Sequence, residues 1–522
     1  MTSETLLSKQ QIADGLKALG LCRGTILMVH ASLSSLGKVD GGADALIDAL
    51  LEALGPEGTL LMPTHPARDG RTFHPDAVPS DMGTITETFR LRPGVLRSRH
   101  PYHPVAAVGA RAEEMLRDHE QSAAPDGPET PYGRLIALDG RVLHIGCDLN
   151  TLTLLHTVEA ELNLPYLREL EMKYVDARGE TRTLQIKRCP GGHRGGVWKF
   201  DRLFREAGAM SVGRIDRAVC RLISAPQAAA IMRREMARHP AFALDDNPHC
   251  ADCVRFRSKI GPRAQTGRKP RVRIHNKARR LAREDFRLTA PLRAVARHPE
   301  QALDLIREEG IAHVELHTEH LPEPEGLNRQ LTDRGMVAAV LRTDLGPPDE
   351  IAEQAARRKV ACVHVSAPDR TEMNRSQLID ALGTLGRTAG ERGITALLGN
   401  RPDSLAETAE ELAALVKEVG SPNLKTSYNP AHVARSGGSP FYGGLYRGPL
   451  RRTVHHVELQ DVVAADKRGV PPGMGNAETI EIISNLRCRS FDGFLCLWPL
   501  PEQADGGFRE AARGFWEIME RI

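Results

Sequence analysis

Apolar residues along this chain fall into short runs that end in small or polar residues, with stretches of helical spacing between them. Gly24-Thr25-Ile26-Leu27-Met28-Val29-His30 predicts a buried strand. It runs out into Ala31-Ser32-Leu33-Ser34-Ser35-Leu36-Gly37, after which a helix is expected from Ala43 to Leu54. Gly58 to Thr64 repeats the strand-into-loop design. Val142-Leu143-His144-Ile145-Gly146-Cys147 predicts another buried strand ending in a turn, followed by Thr153-Leu154-Leu155-His156-Thr157-Val158-Glu159. A helix opening there would set His156 and Glu159 on one face, one turn apart. A carboxylate beside an imidazole fixes its tautomer and raises its basicity, as a general base taking a proton from an amine requires. The same pair on a solvated helix face would be chemically idle.

The second half has a different rhythm. Strands are expected at Phe286–Leu292, Ala312–Thr318, Met336–Thr343, Ala361–Ser366, Thr395–Asn400, Lys425–Asn429, His455–Val462 and Gly493–Pro499. Stretches such as Pro299–Glu309 and Ser404–Val419 carry helical periodicity between them. Eight β/α units match a closed (β/α)8 TIM barrel, with a doubly wound open sheet as the competing arrangement. The expected organisation is therefore an α/β domain over 1–255, a basic linker over 256–284 and a barrel over 285–522.

Composition narrows the classes. At 522 residues the chain can bury two or three cores. A net charge of +3 implies no global attraction to nucleic acid or membrane, and 4% aromatics argues against platforms for stacking single strands. No apolar run is long enough for a transmembrane helix and the first residues are polar, so a soluble cytoplasmic protein is expected. Nine scattered cysteines fit a reducing compartment. Between Arg255 and Arg283 there are many cations (Arg268, Lys269, Arg271, Arg273, Lys277, Arg279 and Arg280 among them) and no acid. That stretch reads as a solvated linker or as a phosphate-binding arm.

Further motifs lie between the first strands and the His156 segment. Arg97-Ser98-Arg99-His100-Pro101-Tyr102-His103-Pro104-Val105-Ala106-Ala107-Val108-Gly109 is followed by Glu129-Thr130-Pro131-Tyr132-Gly133-Arg134-Leu135. In this order the pieces resemble the antibiotic N-acetyltransferase family, whose best-known members are the aminoglycoside 3-N-acetyltransferases. The likeness runs from about residue 8 to residue 255. It implies His156 and Glu159 as the catalytic dyad, with His100 on the substrate side. It also implies that His30, Ser32, Ser34 and Gly37 receive the acyl-CoA pantetheine and phosphates, while Thr64, Thr130, Gly133, Arg134 and Thr153 line the rest of the cleft. Small residues and backbone N–H groups ahead of a helix suit a diphosphate, although an ordinary strand–helix turn has the same composition. Two departures, Pro104 for the family's Ser (with His103 beside it) and Leu152 for its Asn, touch the acceptor side more than the donor cleft.

The second half resembles the xylose-isomerase-like barrels through Tyr428-Asn429-Pro430-Ala431-His432, His456-Val457-Glu458-Leu459-Gln460-Asp461 and Gly473-Met474-Gly475-Asn476 with Phe491-Asp492-Gly493-Phe494. Those enzymes hold divalent metals at positions that correspond here to Gly399, Asn429, Glu458 and Trp498. Only Glu458 remains a competent ligand for a hard cation, with His432, Asp461 and Glu315 as neighbouring candidates. The metal site reads as dismantled, and Trp498 would offer an apolar face to a sugar ring.

Cys189 and His193, with Cys250 and Cys253, have the spacing of a Cys3His structural zinc site; buried cysteines acting as small hydrophobes are the alternative. The expected function is a CoA-dependent N-acetyltransferase that uses acetyl-CoA as cosubstrate and acts on an aminoglycoside, in antibiotic resistance, or on an amino sugar or cyclitol in biosynthesis. The partners are small molecules rather than nucleic acid or membrane, with a homodimer left open. A sugar isomerase or epimerase activity of the barrel, and a nucleic-acid binder acting through the linker, are the readings from other classes.

Overall fold

The computed structural model describes residues 6–189, 196–261, 276–318, 324–446, 448–500 and 506–522. In the N-terminal half the strands are β1 (Ile26–Ala31), β2 (Thr59–Pro63), β3 (Leu96–Arg97), β4 (Val105–Gly109), β5 (Arg141–Ile145), β6 (Arg168–Val175), β7 (Thr181–Arg188), β8 (Met210–Ile215) and β9 (Ala218–Ser224). Seven of them form one sheet in the order β3-β4-β2-β1-β5-β9-β8, and β6 and β7 make a separate hairpin. β1 pairs in parallel with both β2 and β5, while the flanks are antiparallel. Its apolar run is buried almost end to end, as a central strand covered on both faces must be. The helix expected from Ala43 spans Gly42–Leu54 and buries Leu46, Ile47, Leu50 and Leu54.

The C-terminal half closes on itself. β10 (Arg287–Pro291), β11 (His313–His317), β12 (Val337–Thr343), β13 (Cys362–Ser366), β14 (Thr395–Gly399), β15 (Leu424–Tyr428), β16 (Val454–Leu459) and, after the short pair β17 (Asp461–Val462) and β18 (Gly469–Val470), β19 (Phe494–Leu497) are all in place. The first seven and β19 form a parallel closed barrel in which β19 pairs back onto β10. All eight expected strands exist, and the open sheet is excluded. Boundaries shift by one or two residues, except that the strand expected over His455–Val462 stops at Leu459. The Asp461 carboxylate accepts N–H bonds from Val462, Gly473, Gly475 and Ala477, which bends the chain into a loop instead of continuing the barrel.

Of the basic stretch, the helices Ala251–Ile260 and Asn276–Asp285 stand at its ends, and Arg268, Lys269, Arg271 and Arg273 lie outside the described residues. Arg279 pairs with Glu309 at 3.0 Å and lies over the ring of Trp516, so this cation docks the barrel rather than presenting itself to phosphate.

The halves are packed against one another. Residues of both belong to one continuous apolar cluster. The barrel helix Thr479–Cys488 lies against β9, where Arg221 donates to the Cys147 carbonyl (3.0 Å) and to Cys488 Sγ (3.4 Å). Asp148 accepts from Trp198 Nε1 at 3.0 Å and from the barrel's Ser484 hydroxyl. Asn247 Nδ2 donates to the Gly475 carbonyl at 2.6 Å. No helix among the described residues is long and apolar enough to cross a membrane.

Candidate active site

The turn after β5 is fixed by Asp148, whose side chain caps the short helical segment Leu149–Thr151. The helix Leu154–Glu161 then opens and places His156 Nδ1 2.6 Å from Glu159 Oε2. Glu159 is 2% exposed, and its other oxygen accepts from Tyr166 Oη at 2.9 Å. A buried carboxylate held from both sides cannot swing away, so the Nδ1–H of His156 has a fixed acceptor and the basic lone pair belongs to Nε2. The imidazole itself stays about one fifth exposed, at 19%. The dyad is assembled as the sequence predicts.

Of its neighbours only His103 was noted in the sequence, as the residue beside Pro104. His103 stacks at 6.2 Å from the His156 ring and at 4.1 Å from His65, which makes a column of three imidazoles. His103 Nδ1 lies 2.7 Å from Asp126 Oδ1, and His65 Nε2 lies 3.1 Å from Tyr132 Oη. Burial first, then the nearby imidazoles and Arg68, hold His65 well below its ordinary pKa, so it is neutral. Burial also keeps the Tyr132 phenol protonated. Each of these residues sits beside a position already noted (His65 after Thr64, His103 before Pro104, Tyr132 after Thr130). The missing signal was topological, because they converge only where loops gather beyond the carboxyl ends of parallel strands.

His100 is not on that surface. It has no exposed area, its Nδ1 accepts from the N–H groups of Tyr102 and His103, and its ring stacks on His119 at 4.6 Å. It shapes the turn that presents His103, and His103 is the residue facing the dyad.

The residues assigned to the donor cleft divide into two sets. Ser32, Ser34 and Gly37 stay together on the loop after β1, with Ser34 exposed and Gly37 at φ 76°, a conformation that favours glycine. Ser32 Oγ accepts from Arg451 of the barrel. His30, at the end of β1, is 7% exposed, and burial lowers its pKa to about 4. Thr153 caps the His156 helix, its carbonyl accepting from His156 N at 2.9 Å.

The second set serves the scaffold. Thr64 and Thr130 are fully buried, bonded to the Pro104 and Gly127 carbonyls. Arg134 ties down the Met115 and Arg117 carbonyls. A Cβ on Gly133 would stand 2.1 Å from the Pro128 carbonyl oxygen, so glycine is there for close packing. Cys189, Cys250 and Cys253 are buried, and Cys253 Sγ accepts from Asp245 N at 3.3 Å; His193 lies outside the described residues. The one cluster of three metal-capable side chains with ligand atoms within 4.8 Å among the described residues is elsewhere, Glu315, His456 and Cys496 in the barrel.

The family model for aminoglycoside 3-N-acetyltransferase matches residues 28–237, and that for the xylose isomerase-like TIM barrel matches 303–517. The Bacillus subtilis SPbeta prophage-derived aminoglycoside N(3′)-acetyltransferase-like protein YokD is 32% identical over 259 residues, covering 42% of this chain and 89% of that protein. Aminoglycoside N(3)-acetyltransferase VIII of Streptomyces fradiae is 31% identical over 257 residues, covering 44% and 90%. The solved apoenzyme of aminoglycoside acetyltransferase AAC(3)-IVa is 29% identical, covering 50% of this chain and 100% of its own, with a TM-score of 0.46. By its N-terminal half, to which a xylose isomerase-like TIM barrel is joined, the chain belongs to the aminoglycoside 3-N-acetyltransferase family.

Proposed function

We propose that the protein is an acyl-CoA-dependent N-acetyltransferase that acts on an amine of an aminoglycoside or a related amino sugar. The observation that carries this reading is the His156–Glu159–Tyr166 set of bonds on the segment that follows β5, the strand paired in parallel with β1, which leads into the Ser32–Gly37 loop, within a chain of that family. His156 Nε2 takes a proton from the bound ammonium group while Nδ1–H remains on Glu159. The freed amine attacks the thioester carbonyl, and the tetrahedral intermediate collapses with expulsion of the CoA thiolate; the surplus proton on the new amide nitrogen passes to that thiolate, and His156 returns its own proton to water. No covalent enzyme intermediate is needed.

The oxyanion donors are fewer than the loop composition implies. Ser32 N–H already donates to Ile145 O and Ser35 N–H to Ser32 O, so neither is available. The Thr153 hydroxyl, one residue before the His156 helix, is the donor we assign. Ser32, Ser34 and Gly37 form the loop that accepts the donor's phosphates, with the acceptor held beside His103 and Asp126, whose carboxylate suits a cationic amine.

A second reading, acetylation of an amino sugar in a biosynthetic sequence, is favoured by the barrel, whose mouth opens into a cavity of about 1060 Å³. A thiol-release assay with acetyl-CoA, run on gentamicin and kanamycin beside a panel of amino sugars and cyclitols, separates the two. Turnover confined to the antibiotics supports resistance, and turnover confined to the small sugars supports biosynthesis. Release of thiol with none of these amines removes both.

A further inference from the structure

The barrel has the architecture of a metal enzyme, but its carboxylates are already engaged. Arg342, on β12, reaches across the mouth with Nη1 2.6 Å from Glu315 Oε2 on β11 and Nη2 on Glu458 Oε1 of β16. The remaining oxygens are also taken. Glu315 Oε1 accepts from Thr289 and lies 2.7 Å from His456 Nε2, and Glu458 Oε2 accepts from Asn429 Nδ2 at 2.9 Å. Burial opposes ionisation of Glu458, but Arg342 outweighs it and holds that carboxyl well below its ordinary range. The third member of the metal-capable cluster, Cys496, is kept a thiol by burial and by the neighbouring Glu315. A divalent cation wants several oxygens with lone pairs to give. Here a guanidinium fixed in the chain holds the two carboxylates instead, and the donor set does not fit a metal.

That replacement changes what the mouth can bind. The cavity of about 1060 Å³ is lined by five arginines (Arg293, Arg297, Arg342, Arg401 and Arg435) against two carboxylates, Asp344 and Glu458. Arg401 pairs with Asp369, whereas Arg297 and Arg435 enter no ion pair among the described residues. Its wall also contains buried nitrogens without a protein partner: Arg401 Nε, Arg435 Nε, Trp498 Nε1 and His317 Nδ1. The guanidinium groups that line the cavity can only donate, so the wall calls for acceptor oxygens. One face of Trp498 is already taken by the Arg342 guanidinium, 5.0 Å from its ring centre. Burial keeps His317, His364 and His432 below the ordinary imidazole value, so they and the amides of Asn400 and Gln460 offer neutral polar contacts suited to hydroxyl groups.

We propose that the mouth of the barrel is a metal-independent binding site for a hydroxylated organic anion of sugar size, a sugar phosphate or a sugar acid. The guanidinium of Arg342 stands where a metal-dependent barrel would hold its cation, and Arg297 and Arg435 neutralise the ligand's charge. This proposal does not rest on acetyl transfer, and its test uses no acyl donor.

The full chain is titrated calorimetrically with glucose 6-phosphate, glucuronate and glucose, with and without EDTA, while tryptophan emission is followed. Trp198 and Trp516 are 2% and 1% exposed, which leaves Trp498 as the reporter at the cavity. The expected result is saturable binding of at least one of the two anions, about tenfold or more tighter than glucose. It persists in EDTA, changes the emission of the wild type and not of Trp498→Phe, and weakens about fivefold or more in Arg297→Gln/Arg435→Gln. Which anion binds distinguishes phosphate from carboxylate. Neither substituted arginine bonds to Arg342, Glu315 or Glu458 among the described residues, and a thermal melt confirms that the variant is folded. Glucose binding as tightly as the anions, loss of binding in EDTA, unchanged emission, or no binding tighter than about 1 mM would each overturn the proposal.

Discussion

The two ends of this chain use the same parts in opposite ways. At the His156 site a buried carboxylate is held by an imidazole and a phenol, and the imidazole stays partly exposed. At the barrel mouth two buried carboxylates are held by a permanent cation, with imidazoles packed around them at 0–3% exposure. A titratable partner leaves a carboxylate able to steer a proton, whereas a guanidinium fixes its charge and takes it out of acid–base chemistry. The sites differ not in which acids they contain but in what each acid is bonded to. One arrangement can turn over a substrate, and the other can recognise one.

The comparison can be broken most directly at its reactive end. His156→Ala should lower kcat in acetyl transfer by about a hundredfold or more with little change in donor affinity, read by steady-state thiol release. Near-normal turnover would mean that the dyad is only architecture. At the fixed-charge end, Arg342→Met leaves Glu315 and Glu458 facing one another without their cation. It should cost about 3–5 kcal/mol in chemical denaturation, while Arg342→Met/Glu458→Gln recovers part of the loss.

Acid should tell the same story. The Glu458 carboxyl lies below its ordinary value of 4.5 in the folded chain, so its contribution is present above about pH 4.5 and is lost as pH falls below it. Melting temperatures measured from neutral to acid pH should fall in that window, less steeply in Arg342→Met/Glu458→Gln. A smaller effect is expected from Tyr166→Phe, which leaves Glu159 one donor short and should reduce kcat about two- to tenfold. The mildest is Arg451→Ala, which removes the barrel's bond to Ser32. It should raise KM for acetyl-CoA about two- to tenfold with kcat nearly unchanged.

Much of the barrel was legible because parallel strands covered on both faces read as continuous apolar runs, such as Thr395–Gly399. The His156–Glu159 pair was legible for a similar reason, since its geometry is local to one helical turn. What escaped was whatever depends on distant segments meeting. Arg342 looks like the polar end of a strand until closure brings β11 and β16 to either side of it. His65, His103 and His156 come from separate segments, and no spacing announces that they form a column with Asp126 bonded to its middle ring. Thr64, Thr130, Gly133 and Arg134 show the converse: a motif position can owe its identity to the turn it holds together.

Asp148 carries a last implication. Its carboxylate is shared between Trp198 of the front half and Ser484 of the rear, only a few residues ahead of the helix that bears His156. Heating should therefore melt both halves in a single transition rather than in two. An excised front half would emerge with a raw hydrophobic wall where Thr479–Cys488 had lain, and with its reactive helix cut loose from one mooring.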